Sequence, residues 1–272
     1  RKIKMIIRAL KNVQHWHVDR SKNISDDYLH QTESYPVSAS EFLIQLCDAA
    51  KVEKKSSYRT KWMEHVSIIQ QKHDKFLNEV SFSDLKVMQL LLTSIPDQAV
   101  LHLGNSTVVR YAQLFLEGRH VHHFSNRGTS GIEGSVSTAA GAASISDKLH
   151  ICIVGDLSFM YDINALWNNY IGNNLRIVVI NNGGGGIFKY IEGPDKIEQS
   201  EEFIEASHSR RMSLLAQHFQ LNYMCCEDLK TLETFLPSFF ESSDKKSTIL
   251  EIITPREINA QTLKNYFNAI KP

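Results

Sequence analysis

From residue 82 to the C-terminus, short apolar runs alternate with longer segments whose apolar residues recur at helical spacing. Most of the short runs are continuous stretches of Val, Ile and Leu, which is typical of strands buried on both faces. Six strands are predicted, in AVLHLG, HVHHFSN, HICIVGD, LRIVVINN, NYMCC and STILEIIT. Helices are predicted in FSDLKVMQLLLTSIP with Ser83 as N-cap, STVVRYAQLFL, GSVSTAAGAASIS, MYDINALWNNYIG, RMSLLAQHFQ, LKTLETFLPSFFES and the last residues of the chain.

This alternation predicts an α/β fold, a doubly wound parallel sheet with helices on both faces. In such sheets, ligands bind outside the carboxyl ends of the strands. Glycine and polar residues follow four of the predicted strands, at Gly104-Asn105-Ser106, Ser125-Asn126-Arg127, Gly155-Asp156 and Asn181-Asn182. We therefore expect these four segments to meet at one edge of the sheet and to form the functional site.

Residues 1–81 follow a different pattern. A short strand is predicted in NVQHWHVD, a helix in SASEFLIQLCDAAK with Ser38 or Ser40 as its cap, and a longer amphipathic helix in SSYRTKWMEHVSIIQQKHDKFLNEV. Because few strand-like residues accompany these helices, we expect residues 1–81 to be the C-terminal remainder of a central α/β domain with a linker helix. The parallel-sheet domain is expected to span residues 82–272.

Composition excludes several classes of protein. Thirty basic residues balance thirty acidic ones among 272, so no net field favours nucleic acid. No apolar run approaches the roughly 20 residues that span a bilayer. Four cysteines without a CxxC pair fit a reducing cytoplasm. The chain opens with RKIKMIIRAL and no initiator Met, so we expect it to be a piece of a longer protein.

Chemistry is concentrated in the stretch from Val154 to Phe188. Asp156 ends one predicted strand, and Asn182 ends the next, 26 positions later (182 minus 156). A carboxylate, an amide oxygen and a glycine carbonyl suit a hard cation such as Mg²⁺, and Gly183 to Gly186 would let the backbone approach a phosphate. A lone Gly-Asp is common, and Asn-Asn-Gly-Gly is by itself more often a turn. The spacing of the two motifs favours a metal-bridged diphosphate site.

The same spacing resembles the thiamine diphosphate motif, which opens with Gly-Asp-Gly and closes with Asn-Asn; here Leu157 replaces the last glycine of the opening triplet. GDLSFMYDINAL and NNGGGGIF, together with GNSTVVR and SNRGTSGIEGSVSTAAG, resemble the 2-succinyl-5-enolpyruvyl-6-hydroxy-3-cyclohexene-1-carboxylate (SEPHCHC) synthases of menaquinone biosynthesis. The four motifs cover residues 104–191, whereas residues 1–80 match the end of that family's central domain only loosely.

The resemblance implies a bound thiamine diphosphate with Mg²⁺, or Mn²⁺ in its place. The implied metal ligands are Asp156, the side chain of Asn182 and the carbonyl of Gly184. Asn181 remains the alternative to Asn182, because the alignment places a one-residue length difference in the preceding loop. The implied cofactor-binding residues are Asp156, Leu157, Ser158, Asn182, Gly184 and Ile132, with helix capping as the alternative role for Ser158 and core packing for Ile132.

The implied substrates are 2-oxoglutarate and isochorismate, both dicarboxylates. Arg110 and Ser106 would hold the succinyl carboxylate, and Arg127 would meet isochorismate or the diphosphate, since guanidinium binds carboxylate in bidentate fashion. These three residues are the catalytic candidates. Ile187, Phe188 and Ile191 would form an apolar wall, with core packing as the alternative.

The resemblance also implies a homodimer or homotetramer with the cofactor between subunits. In that family the glutamate that activates the cofactor lies in a separate N-terminal domain, so residues 1–272 alone are expected to be inactive. Two alternatives stay open: another thiamine diphosphate-dependent 2-oxoacid decarboxylase or synthase, and a non-catalytic cofactor-binding domain.

Overall fold

The computed structural model describes residues 2–21, 26–50, 56–116, 120–190, 199–241 and 246–271. The chain divides into two compact units, residues 1–63 and 64–272. This division falls inside a long helix, α3, which spans Tyr58–Glu79. The proposed domain boundary after residue 81 stays a prediction.

The first unit contains two strands that pair in parallel. Its elements are α1 (Lys2–Ala9), β1 (His15–Val18), β2 (Gln31–Tyr35), α2 (Ala39–Ala49) and the start of α3. The prediction of Ser38 as the cap of α2 is confirmed: its hydroxyl accepts from the backbone N–H of Glu41, and the Glu41 carboxylate accepts from the backbone N–H of Ser38. Two orphan donors of the helix start are thereby satisfied.

The second unit contains a six-stranded sheet, and every strand pair in it is parallel. The strands are β3 (Val100–Leu103), β4 (His122–Phe124), β5 (His150–Gly155), β6 (Leu175–Asn181), β7 (Asn222–Cys226) and β8 (Thr248–Ile253). The helices are α4 (Asp84–Ser94), α5 (Thr107–Ala112), α6 (Ser135–Ser144), α7 (Asp156–Tyr161), α8 (Ser200–Phe203), α9 (Ser213–His218), α10 (Leu229–Glu241) and α11 (Arg256–Ala269). The predicted fold class and all six predicted strands are confirmed.

Alternate residues of the central strands enter two separate cores. Ile151 and Ile153 of β5 pack in one core with residues of α4, α10 and α11. Cys152 and Val154 of the same strand pack in the other with residues of α6 and α9. Because both faces are buried, the strands read as continuous apolar runs, as a doubly wound sheet requires.

One predicted helix is wrong. The segment MYDINALWNNYIG does not form a helix over residues 160–172; α7 ends at Tyr161, and a short 3₁₀ turn over Ile163–Leu166 follows. The Asp162 carboxylate lies at the break and accepts from the backbone N–H and the hydroxyl of Ser137, in the first turn of α6. Since Gly134 offers no capping side chain, Asp162 caps α6 from a distance, and this tertiary bond competes with continuation of α7.

None of the helices within the described ranges combines the length and the apolar character that crossing a bilayer requires.

Candidate active site

The candidate site lies where the order of the strands reverses. The sheet order is β4-β3-β5-β6-β8-β7, so the chain leaves β3 toward one edge and returns to β5 on the other side. Such a switch point opens a crevice at the carboxyl ends of the two strands. The segments after β3, β5 and β6 meet in this crevice, as predicted, whereas the fourth predicted segment, Ser125-Asn126-Arg127 after β4, does not line it.

A pocket of about 120 Å³ occupies the crevice. It is lined by Asn105, Ser106, Thr107, Ile132, Gly155, Asp156, Leu157, Ser158, Asn182, Gly184, Gly185, Gly186, Ile187 and Phe188. Complete small-molecule sites enclose roughly 300–1,000 Å³, so this pocket suits one end of a ligand rather than a whole cofactor.

Every predicted cofactor-binding residue lines the pocket, as do Ser106, Ile187 and Phe188 from the predicted substrate set. The Ser158 hydroxyl donates to the Ile132 carbonyl and joins the first turn of α7 to the loop before α6. Ile191 lies outside the described residues.

Asp156 is 2% exposed and stands at the start of α7. Its Oδ1 accepts from the backbone N–H of Leu157 at 2.6 Å, and its Oδ2 accepts from that of Gly184 at 2.8 Å. The carboxylate thus ties the loop after β5 to the glycine-rich loop after β6. Both contacts leave lone pairs for a further ligand.

The two consecutive asparagines have different surroundings. Asn181 donates to the Glu251 carboxylate at 2.6 Å and to the Arg210 carbonyl, and it does not line the pocket. Asn182 lines the pocket; its Nδ2 donates to Asp84 at 2.8 Å, while its Oδ1 is buried with no hydrogen-bond partner. A buried amide oxygen without a donor requires an explanation, and a cation in the pocket would supply one. The geometry therefore favours Asn182 over Asn181 as a candidate ligand of a cation.

The glycines of this loop are required by packing. Gly184 has a φ of +140°, and a Cβ on it would lie 2.6 Å from the Glu205 carbonyl oxygen. Gly183 has a φ of +77° and accepts from the backbone N–H of His208 at 3.0 Å. Residues 205–208 therefore lie directly against the loop, which a side chain at Gly184 would prevent.

Asp84 is a site residue that the sequence analysis missed. It opens α4, is 2% exposed, and accepts from Asn182 and from the Thr254 hydroxyl at 2.6 Å. Burial raises the pKa of Asp84 to about 6, although these two hydrogen bonds act to lower it. The nearby Asp156 carboxylate adds to the rise. A cation beside the two carboxylates would offset their repulsion. In the sequence, Asp84 reads only as an acid in a first helical turn.

His208 was also missed. Its buried Nε2 lies 3.4 Å from Asp156 Oδ2, and its Nδ1 accepts from the backbone N–H of Arg210 at 3.1 Å. Since Nδ1 is an acceptor, the Nε2–H tautomer is the one that fits. His208 Nε2 therefore lies beside the carboxylate, although it makes no hydrogen bond there, and no local motif around His208 indicates this position.

Asn105 organises the loop after β4. This side chain, 1% exposed, donates to the carbonyls of Asn126 and Gly131 and accepts from Arg127 at 2.7 Å. Its neighbour Ser106 has a φ of +71°, a strained value for a residue with a side chain, and strain of this kind clusters at functional sites.

The two predicted arginines are exposed and do not line the pocket. Arg110 donates to the carbonyl of Ser106, and Arg127 to the side chain of Asn105. These hydrogen bonds connect both guanidinium groups to the loop after β3. Because both side chains are exposed, they can still contact a ligand that extends beyond the pocket.

The site offers an all-oxygen donor set for a hard cation: one carboxylate, one unpartnered amide oxygen and backbone carbonyls. Among the residues that the structure describes, no group of three or more His, Cys, Asp or Glu side chains is arranged to hold a metal. A hard cation can complete its coordination with water or with the oxygens of a bound anion.

Comparison with known proteins identifies the class. The family described as "Thiamine pyrophosphate enzyme, C-terminal TPP binding domain" matches residues 103–252, more than half of the chain. This chain belongs to that family. The matched range begins at the last residue of β3 and contains every residue that lines the pocket, whereas Asp84 lies before it.

Within that class, the chain is similar to SEPHCHC synthases. It is 39% identical to the synthase of Flavobacterium psychrophilum over 98% of this chain and 48% of the relative, and 39% identical to that of Porphyromonas gingivalis over 99% and 48%. It is 43% identical to that of Christiangramia forsetii over 74% of this chain and 35% of the relative. The chain spans about half the length, or less, of these curated relatives.

Proposed function

We propose that the protein containing this chain is a SEPHCHC synthase that decarboxylates 2-oxoglutarate and adds the succinyl unit to isochorismate, with thiamine diphosphate and Mg²⁺ as cofactors. The observation that carries the proposal is the pocket corner formed by Asp156 and the unpartnered Oδ1 of Asn182, within a thiamine pyrophosphate-binding family. The names of the relatives support the proposed product, and the two substrates are part of the proposal.

The residues present fit the diphosphate end of the cofactor. Asp156, Asn182 Oδ1 and the Gly184 carbonyl would hold the cation, and Ser158 would face the diphosphate oxygens. When bound, thiamine diphosphate supplies the electron sink that decarboxylation of a 2-oxoacid needs. Ile132 and Ile187 supply the apolar part of the pocket wall.

Arg110 and Arg127 are proposed to bind the substrate carboxylates from the rim of the pocket. Each already has one contact that orients its guanidinium relative to the loop after β3. A dicarboxylate donor and a dicarboxylate acceptor together call for more than one cationic group. Ser106, between the rim and the pocket, would donate to the same carboxylate as Arg110.

The small volume of the pocket supports a shared site. About 120 Å³ holds the metal–diphosphate end and leaves the rest of the cofactor to be enclosed by other residues. We propose that another domain or subunit of a homodimer or homotetramer supplies them.

The test uses the full-length protein with thiamine diphosphate, Mg²⁺ and 2-oxoglutarate, with and without isochorismate, and follows the products by mass spectrometry. We expect a succinylated cyclohexene adduct that requires isochorismate and is lost in Asp156→Ala. The exposed acid Asp147 provides the matched control, since Asp147→Ala removes a carboxylate outside the pocket. Release of carbon dioxide with isochorismate left unused would assign the protein to another 2-oxoacid decarboxylase.

A further inference from the structure

We propose that Asp84 is a positioning residue that sets which end of the Asn182 side-chain amide faces the cation site. The inference rests on the proposed function, because it gives a role to a contact of one proposed metal ligand. Asp84 and Asn182 are 98 positions apart in the chain, and Asp84 lies before the residues that the family match covers.

The argument begins with the ambiguity of an amide. The oxygen and nitrogen ends of asparagine have nearly the same shape, but only the oxygen can bind a cation. Rotation by half a turn would therefore replace a ligand with an N–H donor. A neighbouring group must therefore favour the orientation in which the amide oxygen of Asn182 faces the cation site.

Asp84 supplies that preference. Its Oδ2 lies 2.8 Å from Asn182 Nδ2, and a carboxylate can accept from the nitrogen end but has nothing to donate to the oxygen end. The amide oxygen is left buried and without a partner in a side chain that lines the pocket. Partners behind a metal ligand orient it, and their loss weakens metal binding about 10–100-fold.

Asp84 is itself held by a closed network. The Thr254 hydroxyl donates to its Oδ1 at 2.6 Å, and its backbone N–H donates to Asn259 Oδ1 at 2.8 Å. Asn259 Nδ2 in turn donates to the Thr254 hydroxyl at 3.2 Å. The start of α4, the end of β8 and the start of α11 thus fix the carboxylate that orients Asn182.

The neighbouring asparagine offers a matched control. Asn181 also donates to a buried carboxylate, that of Glu251, at 2.6 Å, but it does not line the pocket. Loss of the Glu251 charge perturbs a similar buried pair without touching the proposed ligand.

The experiment titrates the full-length protein with Mn²⁺ in the presence of thiamine diphosphate and follows bound Mn²⁺ by electron paramagnetic resonance. We expect Asp84→Ala to weaken Mn²⁺ binding about 10–100-fold. Asp84→Asn has nearly the same shape but carries an N–H donor that can bond the oxygen end of Asn182, so it removes the preference, and we expect weaker Mn²⁺ binding than in wild type. Glu251→Gln should stay within about threefold of wild type.

Unchanged Mn²⁺ affinity in Asp84→Ala would overturn the inference. If circular dichroism shows that Asp84→Ala does not fold, Thr254→Val provides the test, because it removes the hydroxyl that donates to Asp84. A loss of Mn²⁺ affinity of about threefold or more in Thr254→Val supports the inference, and a smaller change overturns it. A wild-type protein that binds no Mn²⁺ with thiamine diphosphate would overturn the proposed function itself, and the inference with it.

Discussion

His208 Nε2 lies 3.4 Å from Asp156 Oδ2, with both side chains almost completely buried. The backbone N–H of Arg210 donates to His208 Nδ1, which leaves Nε2 as the ring nitrogen beside the carboxylate, without a hydrogen bond of its own. Asp156 accepts hydrogen bonds from its own helix at Leu157 and from the glycine-rich loop at Gly184, and the ring of His208 lies against it from a third segment. The histidine restricts how this carboxylate can turn toward a cation.

Replacement of His208 by Phe should keep an aromatic ring at this position and remove the imidazole nitrogen that lies beside Asp156. Mg²⁺ and thiamine diphosphate together should raise the midpoint temperature of thermal unfolding. We expect a smaller increase in His208→Phe than in wild type, by an amount that corresponds to roughly tenfold weaker binding. His218→Phe, at an exposed position of α9, is the control. An equal ligand-induced shift in His208→Phe and wild type would show that His208 does not support the site.

Gly184→Ala should destabilise the chain by about 3 kcal/mol, because the added Cβ meets the Glu205 carbonyl oxygen at 2.6 Å and the φ of +140° is strained for alanine. Gly141→Ala is the contrasting variant. Gly141 lies inside α6 with no atom within 4 Å of an added Cβ, so alanine should stabilise by about 0.5–1 kcal/mol. Urea unfolding measures both; the expectation fails if the two changes have the same sign.

Asn105→Ala should cost about 2–3 kcal/mol, since the carbonyls of Asn126 and Gly131 both lose a donor. We also expect faster amide hydrogen exchange across residues 125–134, the loop that carries Arg127 and Ile132. Thr129→Ala, at an exposed position of the same loop, should change stability by less than about 0.5 kcal/mol. Unaltered exchange in Asn105→Ala would contradict the organising role of this side chain.

Acid should destabilise the sheet through a buried histidine pair. His102 Nε2 lies 2.9 Å from His150 Nδ1, and burial, with a smaller contribution from His150, lowers the pKa of His102 to about 4 from 6.5. Neutral His102 therefore stabilises the folded chain fully above pH 6.5, and this contribution, at most about 3 kcal/mol, is lost as the pH falls from 6.5 to 4.

The check is urea unfolding of wild type and His102→Gln at pH 7.5 and pH 5, with His218→Gln as the exposed control. We expect the wild type and the control to lose more stability between the two pH values than His102→Gln does. An equal loss in all three would show that other groups cause the acid sensitivity.

Local pattern was sufficient for most of the fold. All six strands of the parallel sheet were predicted. The four inner strands, β3, β5, β6 and β8, are largely apolar because they are buried on both faces, whereas the edge strands β4 and β7 are more exposed. The helix predicted over residues 160–172 was wrong because Asp162 bonds to Ser137, and a contact between distant segments overrides helical spacing.

The sequence by itself determined the α/β sheet and the edge of the sheet at which the site forms. It also placed Asp156 and the consecutive asparagines Asn181 and Asn182 at that edge. These features are encoded in contiguous motifs and in the fixed direction of parallel strands. The resemblance favoured Asn182 over Asn181, and the structure shows that Asn182 lines the pocket and Asn181 does not. Only the tertiary structure decided that Asp84 and His208 stand behind the proposed ligands. The physical reason is that hydrogen bonds between residues far apart in the chain, 98 positions for Asp84 and Asn182, leave no periodicity or spacing to read.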